Sequence, residues 1–140
     1  VEDEDRDEIA ENITFFRGDN TSNFIKLYNL SAIYIREICE LCSSEDDTYK
    51  SSHVNKKNYL MQIRYLCNNK NIFTKELLLE LEELNKFRNV LIHQFGINEI
   101  SEKDIIEKVT RLDELVKILY KIYIEKDKLE SLKGIDKRNV

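Results

Sequence analysis

Leu77-Leu78-Leu79-Glu80-Leu81-Glu82-Glu83-Leu84-Asn85-Lys86-Phe87-Arg88-Asn89-Val90-Leu91-Ile92-His93-Gln94-Phe95 places Leu77, Leu81, Leu84, Arg88, Leu91 and Phe95 on one stripe, stepping by four and three. That is the period of a helix with one buried face. The same spacing recurs on both sides. Towards the C-terminus, Ile105, Val109, Leu112, Val116, Leu119 and Tyr123 form a stripe opened by Ser101-Glu102-Lys103-Asp104, which has the pattern of a capping box. Towards the N-terminus, Tyr59, Ile63 and Leu66 mark a shorter helix. Before it, Phe24, Tyr28, Ser31, Ile35, Ile38 and Cys42 mark a long one, with Thr21 or Ser22 as its cap. Ile9, Ile13 and Phe16 predict a short first helix over residues 4–17.

Residues 43–54 have no period and are rich in Ser and Asp, so they read as a loop. There is no proline, and each of the three glycines, Gly18, Gly96 and Gly134, follows an apolar-periodic stretch. Glycine just past a helix end supplies the left-handed cap. No alternating run suggests a strand. The sequence therefore predicts an all-α fold, a four- to five-helix up-down bundle forming one domain over residues 1–140.

Composition agrees. A chain of 140 residues has the size of one domain and buries roughly two thirds of its unfolded surface. At 41% hydrophobic and 35% charged it is too apolar for disorder and too charged for a membrane protein. No apolar run approaches the roughly 18 residues of a membrane span. The acidic N-terminus does not read as a signal peptide, so a cytoplasmic location and reduced thiols are expected for the three cysteines. The net charge of −5 is local: residues 2–8 hold six acids and one base, an acidic tail over residues 1–8, and the remainder carries 21 of each sign.

Four features bear on chemistry. Arg88 is the one charged position on the apolar stripe of its helix, and burial there costs several kcal/mol without a partner. It either snorkels at the stripe's edge, pairs with an acidic neighbour, or is held for function. His93 lies four residues after Asn89 on the same face, which runs back through Lys86, Asn85 and Glu82. An exposed histidine at a helix end is also favoured by the dipole alone. Between Thr48 and Lys75 there is no acid, while Lys50, Lys56, Lys57, Arg64 and Lys70 alternate with Tyr49, Tyr59, Tyr65 and Phe73. Such a stretch suits phosphate contacts and base stacking, or is a solvated face over core tyrosines. Cys39-Glu40-Leu41-Cys42, with His53 and Cys67, is nominally a Cys₃His set, but it falls within a helix, and small buried hydrophobes are the better account. No cofactor or metal is expected.

At Phe87-Arg88-Asn89-Val90-Leu91-Ile92-His93-Gln94-Phe95-Gly96 the sequence resembles the HEPN ribonucleases, which carry Arg, a polar residue, and His after four to six positions. The string looks like the HepT branch, the toxin halves of HEPN/MNT toxin–antitoxin pairs. The likeness extends loosely from Tyr28 to Tyr123. The resemblance implies a HEPN-like bundle acting as a homodimer on RNA (tRNA or mRNA), without a metal and away from membranes. It implies catalytic roles for Arg88 and His93 with Asn89 in support, and RNA contacts from Lys56, Lys57, Arg64 and Lys86. It also implies an MNT-type nucleotidyltransferase antitoxin as partner. The HepT pattern continues His-x-Tyr, and that tyrosine is the one the antitoxin can modify with AMP. Phe95 stands at this position and has no hydroxyl to modify. A non-catalytic HEPN module that binds nucleotide, RNA or a nucleotidyltransferase is the alternative.

Overall fold

Amphipathic stripes of this kind bury themselves only against one another, and the computed structural model shows how. It describes residues 20–43, 58–93 and 100–138, residues 133–138 as backbone alone. These form four α-helices: α1 (Asn20–Cys42), α2 (Tyr59–Asn68), α3 (Lys75–His93) and α4 (Glu102–Arg138). Among the described residues there is no strand, and the all-α class expected from the sequence is observed. The acidic tail 1–8, the short helix over 4–17 and the 43–54 loop beyond Ser43 lie outside the described residues.

The predicted stripes are the core. Phe24, Tyr28, Ser31, Ile35 and Ile38 of α1 are buried, as are Ile63 and Leu66 of α2. Leu77, Leu81, Leu84 and Leu91 of α3 and Ile105, Val109, Leu112, Val116 and Leu119 of α4 are buried in the same core cluster. Full burial of such a side chain contributes about 1.5–3 kcal/mol. Tyr34 of α1 reaches Tyr120 and Tyr123 of α4, ring centroids 5.7 and 5.9 Å away.

Cross-helix pairs fix the directions. Glu80 and Glu83 of α3 pair with Arg111 and Lys108 of α4, so the two helices run antiparallel. Phe24 and Tyr28 of α1 meet Phe87 and Asn85 of α3, again antiparallel. On the other flank Arg64 of α2 pairs with Glu82. Helix α3 thus runs antiparallel to α1 and α4 and touches α2 on its other flank.

The ends of the helices follow local chemistry. Asn58 caps α2 by accepting from the Met61 amide at 3.1 Å, Thr74 caps α3 from Leu77 at 3.1 Å, and Ser101 caps α4 from Asp104 at 3.1 Å. After α2 the chain turns at Asn71, whose φ of 55° is in the left-handed region, and the Ile72 amide returns to the Leu66 carbonyl at 2.9 Å. Asparagine is among the few non-glycine residues that accept this conformation. Two expectations are corrected. Thr21 and Ser22 do not precede α1, because Asn20 is already helical. Gly134 does not end α4, which continues through it to Arg138. A glycine inside a helix costs about 1 kcal/mol relative to alanine, a penalty that neighbouring turns of good helix formers absorb.

Of the aromatic residues in the acid-free stretch, Tyr59, Tyr65 and Phe73 are buried in the core and are not a surface for bases, while Tyr49 lies outside the described residues. Of the cysteines, Cys39 and Cys67 are buried and Cys42 is half-buried, all as free thiols. The Cys39 Sγ donates weakly to the Gln62 carbonyl, 3.8 Å away, so the pair of helices α1 and α2 uses it as packing. Among the described residues no group of His, Cys, Asp and Glu is placed to hold a metal ion, and no helix is long and apolar enough to cross a membrane.

Candidate functional site

Arg88 sits late in α3, where the stripe that buries Leu81, Leu84 and Leu91 carries it towards α1. It is half-buried. Its guanidinium carbon lies 5.3 Å from the centroid of the Tyr28 ring, within the range of a cation–π contact. Its Nη1 donates to Asn89 Oδ1 at 3.2 Å. The sequence left open an acidic neighbour for Arg88, and among the described residues no carboxylate pairs with it; Glu82 of the same helix pairs with Arg64 at 3.6 Å. An aromatic face and an amide hold this arginine.

The face is itself held. Tyr28 stacks on Tyr59 with centroids 4.8 Å apart and planes 25° apart. The Asn85 side-chain amide donates to the Tyr28 hydroxyl at 2.5 Å. The Tyr59 hydroxyl lies 3.2 Å from Ser31 Oγ, which also bonds the Tyr28 carbonyl at 2.6 Å. Burial raises the Tyr28 phenol above its ordinary range, against the opposing pull of the Asn85 hydrogen bond and the Arg88 charge. Burial raises Tyr59 further, against its bond with Ser31. Both are neutral phenols at physiological pH.

Beside this cluster opens a cleft of about 440 Å³, bounded by Tyr28 and Asn29 of α1, Asn58 and Tyr59 at the start of α2, and Arg88 and Asn89 of α3. Among the described residues no carboxylate lines it. Arg88 is the one formal charge among the described residues that line it, a setting that suits an anion, and the amides of Asn29, Asn58 and Asn89 add neutral donors and acceptors.

The sequence-predicted residues divide. Arg88 and Asn89 come together at the cleft. His93, the last residue of α3, is exposed and does not line it. Lys86 is exposed on α3, and Arg64 is exposed with Glu82 as partner. Lys56, Lys57, His53 and Phe95 lie outside the described residues. The cleft residues that were missed include Tyr28 and Asn85. Tyr28 read as an ordinary member of the α1 stripe. Asn85 read as part of the polar face, yet it is only 9% exposed. A faint signal existed, since Asn85 stands one turn before Arg88 and Asn89 and so shares their side of the helix.

The other side of α3 is anchored to α4. Arg111 binds Glu80 and also Glu114, the latter at 2.6 Å. Lys108 pairs with Glu83 at 3.5 Å and lies 5.8 Å from the Phe87 ring. These exposed pairs add to the contacts that α3 makes with α1 and α2.

No protein-family model matches the chain, and no characterised protein or solved structure is significantly similar to it.

Proposed function

We propose that the chain is a metal-independent endoribonuclease of the HEPN type, a HepT-like toxin acting as a homodimer. The observation that carries this reading is Arg88, held on an aromatic face with donors to spare at a cleft lined by no acid among the described residues, on the helix that also bears Asn89 and His93. In the reaction the RNA 2′-oxygen attacks the adjacent phosphorus and the 5′-oxygen of the next nucleotide leaves. The products are a 2′,3′-cyclic phosphate and a 5′-hydroxyl. His93 takes the 2′-hydroxyl proton or delivers one to the leaving oxygen, roles suited to an imidazole near neutral pH. Arg88 stabilises the charge on the phosphorane through its planar fork of donors. Asn89 fixes Arg88, and Lys56, Lys57, Lys86 and Arg64 hold the RNA backbone.

Because Arg88 and His93 diverge around α3, a second copy completes the site. The partner antitoxin is a nucleotidyltransferase of the MNT type; Phe95 has no hydroxyl to take AMP, so modification at that position is excluded and silencing proceeds by binding alone or by modification of another residue. The second reading, a non-catalytic HEPN module, is favoured by that same Phe95 and by the exposure of His93 away from the cleft. An RNA cleavage assay in EDTA decides between them. Wild type cuts tRNA or mRNA and leaves cyclic-phosphate ends, while His93→Ala and Arg88→Ala each lose about 10²–10⁴ in rate. A folded dimer that cuts neither RNA is the binding module.

A further inference from the structure

We propose that Tyr28 is the positioning residue of this cleft, its ring serving as the platform that holds the Arg88 guanidinium towards the bound RNA phosphate. The inference rests on the ribonuclease reading for its substrate. It goes further by assigning a role to α1, which carries no part of the Arg-Asn-x₃-His motif.

A long, flexible arginine has many rotamers, and a free one gives up that freedom each time it binds phosphate. Here the freedom is already gone. One face of the guanidinium lies over the Tyr28 ring at 5.3 Å, and one edge is given to Asn89. A guanidinium carries more N–H donors than that edge uses, and the rest are left for a ligand at the cleft.

The platform cannot swing. Tyr59 stacks behind it, Asn85 holds its hydroxyl, and Ser31 ties the Tyr59 hydroxyl back to α1. Each of these three supports is buried. A buried, hydrogen-bonded phenol placed under a half-buried cation is more than packing requires, since leucine would fill a stripe position without a polar group to satisfy. The ring face does the holding, and the hydroxyl anchors the ring to α3.

The test compares Tyr28→Leu, Tyr28→Met and Tyr28→Phe, each alone and combined with Arg88→Ala, after circular dichroism has shown which variants fold. Methionine is the second ringless variant in case leucine fails to pack. Loss of the platform lowers kcat/KM by about 10–100-fold, the scale of a small misplacement of a catalytic group. Tyr28→Phe restores most of the rate. In the Arg88→Ala background the ringless variants cost nothing more, because Tyr28 acts only through Arg88. Additive losses, or unchanged rates without the ring, overturn the proposal. The Arg88 side-chain NMR signals give an answer that needs no cleavage. They are shifted upfield by the ring in wild type and Tyr28→Phe, and return to ordinary positions in Tyr28→Leu or Tyr28→Met. Signals that do not move overturn the platform. A folded wild type that cuts no RNA removes the ribonuclease reading alone, and the NMR comparison then decides the platform.

Discussion

The side-chain amide of Asn85 on α3 donates to the hydroxyl of Tyr28 on α1 at 2.5 Å, and both residues are buried. The pair joins the motif helix to α1 at the point where Arg88 rests. A buried polar group that loses its partner costs about 1–3 kcal/mol, whereas removing both partners together costs much less. Asn85→Leu should therefore lower the unfolding free energy by about 1–3 kcal/mol in urea titrations, and Tyr28→Phe by a similar amount. The double variant should be more stable than the sum of the two losses allows.

The same burial makes stability depend on alkaline pH. Tyr28 and Tyr59 both titrate above their ordinary value of 10.0 in the folded chain, chiefly because burial disfavours the phenolate. The unfolded chain releases these protons first as pH rises. Their contribution to stability is thus complete below about pH 10 and is lost as pH climbs from there towards the folded-state values. Unfolding free energies measured between pH 8 and pH 11 should be level at first and then fall. Tyr59→Phe should flatten the fall, because Tyr59 is the more strongly shifted of the two.

Leu112 lies at the centre of the α4 stripe with no exposed surface, while Leu129 on the same helix is 48% exposed. Truncating the first leaves a cavity in the hydrophobic core. Leu112→Ala should cost about 2–5 kcal/mol, and Leu129→Ala within about 0.5 kcal/mol, in thermal or denaturant unfolding. Equal costs would mean that the distal part of α4 is packed as tightly as the centre.

The ion pairs that tie α3 to α4 are exposed, and their effect is correspondingly small. Glu80 and Glu114 hold the Arg111 guanidinium and raise its affinity for its proton, chiefly through the Glu80 hydrogen bond. Arg111→Ala should lower stability by less than about 1 kcal/mol, and the difference should shrink further in high salt.

The helices were legible because their stripes are regular. Phe24 to Ile38 and Ile105 to Leu119 are buried as their spacing requires. Caps were legible where a short polar side chain precedes a stripe, as at Ser101. They failed at Gly134, where neighbouring turns outweigh one glycine, and Asn71 was passed over because asparagine enters the left-handed region only when the surrounding turn demands it. The site was half legible. Arg88 and Asn89 stood out as a charge on an apolar stripe and its polar neighbour. Tyr28 and Asn85 did not, because a tyrosine in a core stripe and an asparagine on a polar face acquire a role only when two helices are docked. The tyrosines at 59 and 65 were ambiguous for a related reason: a basic, aromatic-rich segment reads the same whether its rings face solvent or core.

Arg88 and His93 stand five positions apart on one regular helix, which sets them about 140° apart around its axis. Arg88 faces the cleft against α1, and His93 is exposed at the end of α3. If the proposed ribonuclease draws its arginine from one protomer and its histidine from the other, two inactive variants should rescue each other. In a mixed dimer of Arg88→Ala with His93→Ala, one of the two composite sites loses both groups and the other keeps both. Co-refolding the two variants should therefore restore a measurable fraction of wild-type RNA cleavage, while each alone stays inactive. A mixture that remains as inactive as its parents would place both groups in the same protomer. That outcome would require the last turn of α3, between Arg88 and His93, to unwind for the imidazole to reach the phosphate bound at Arg88.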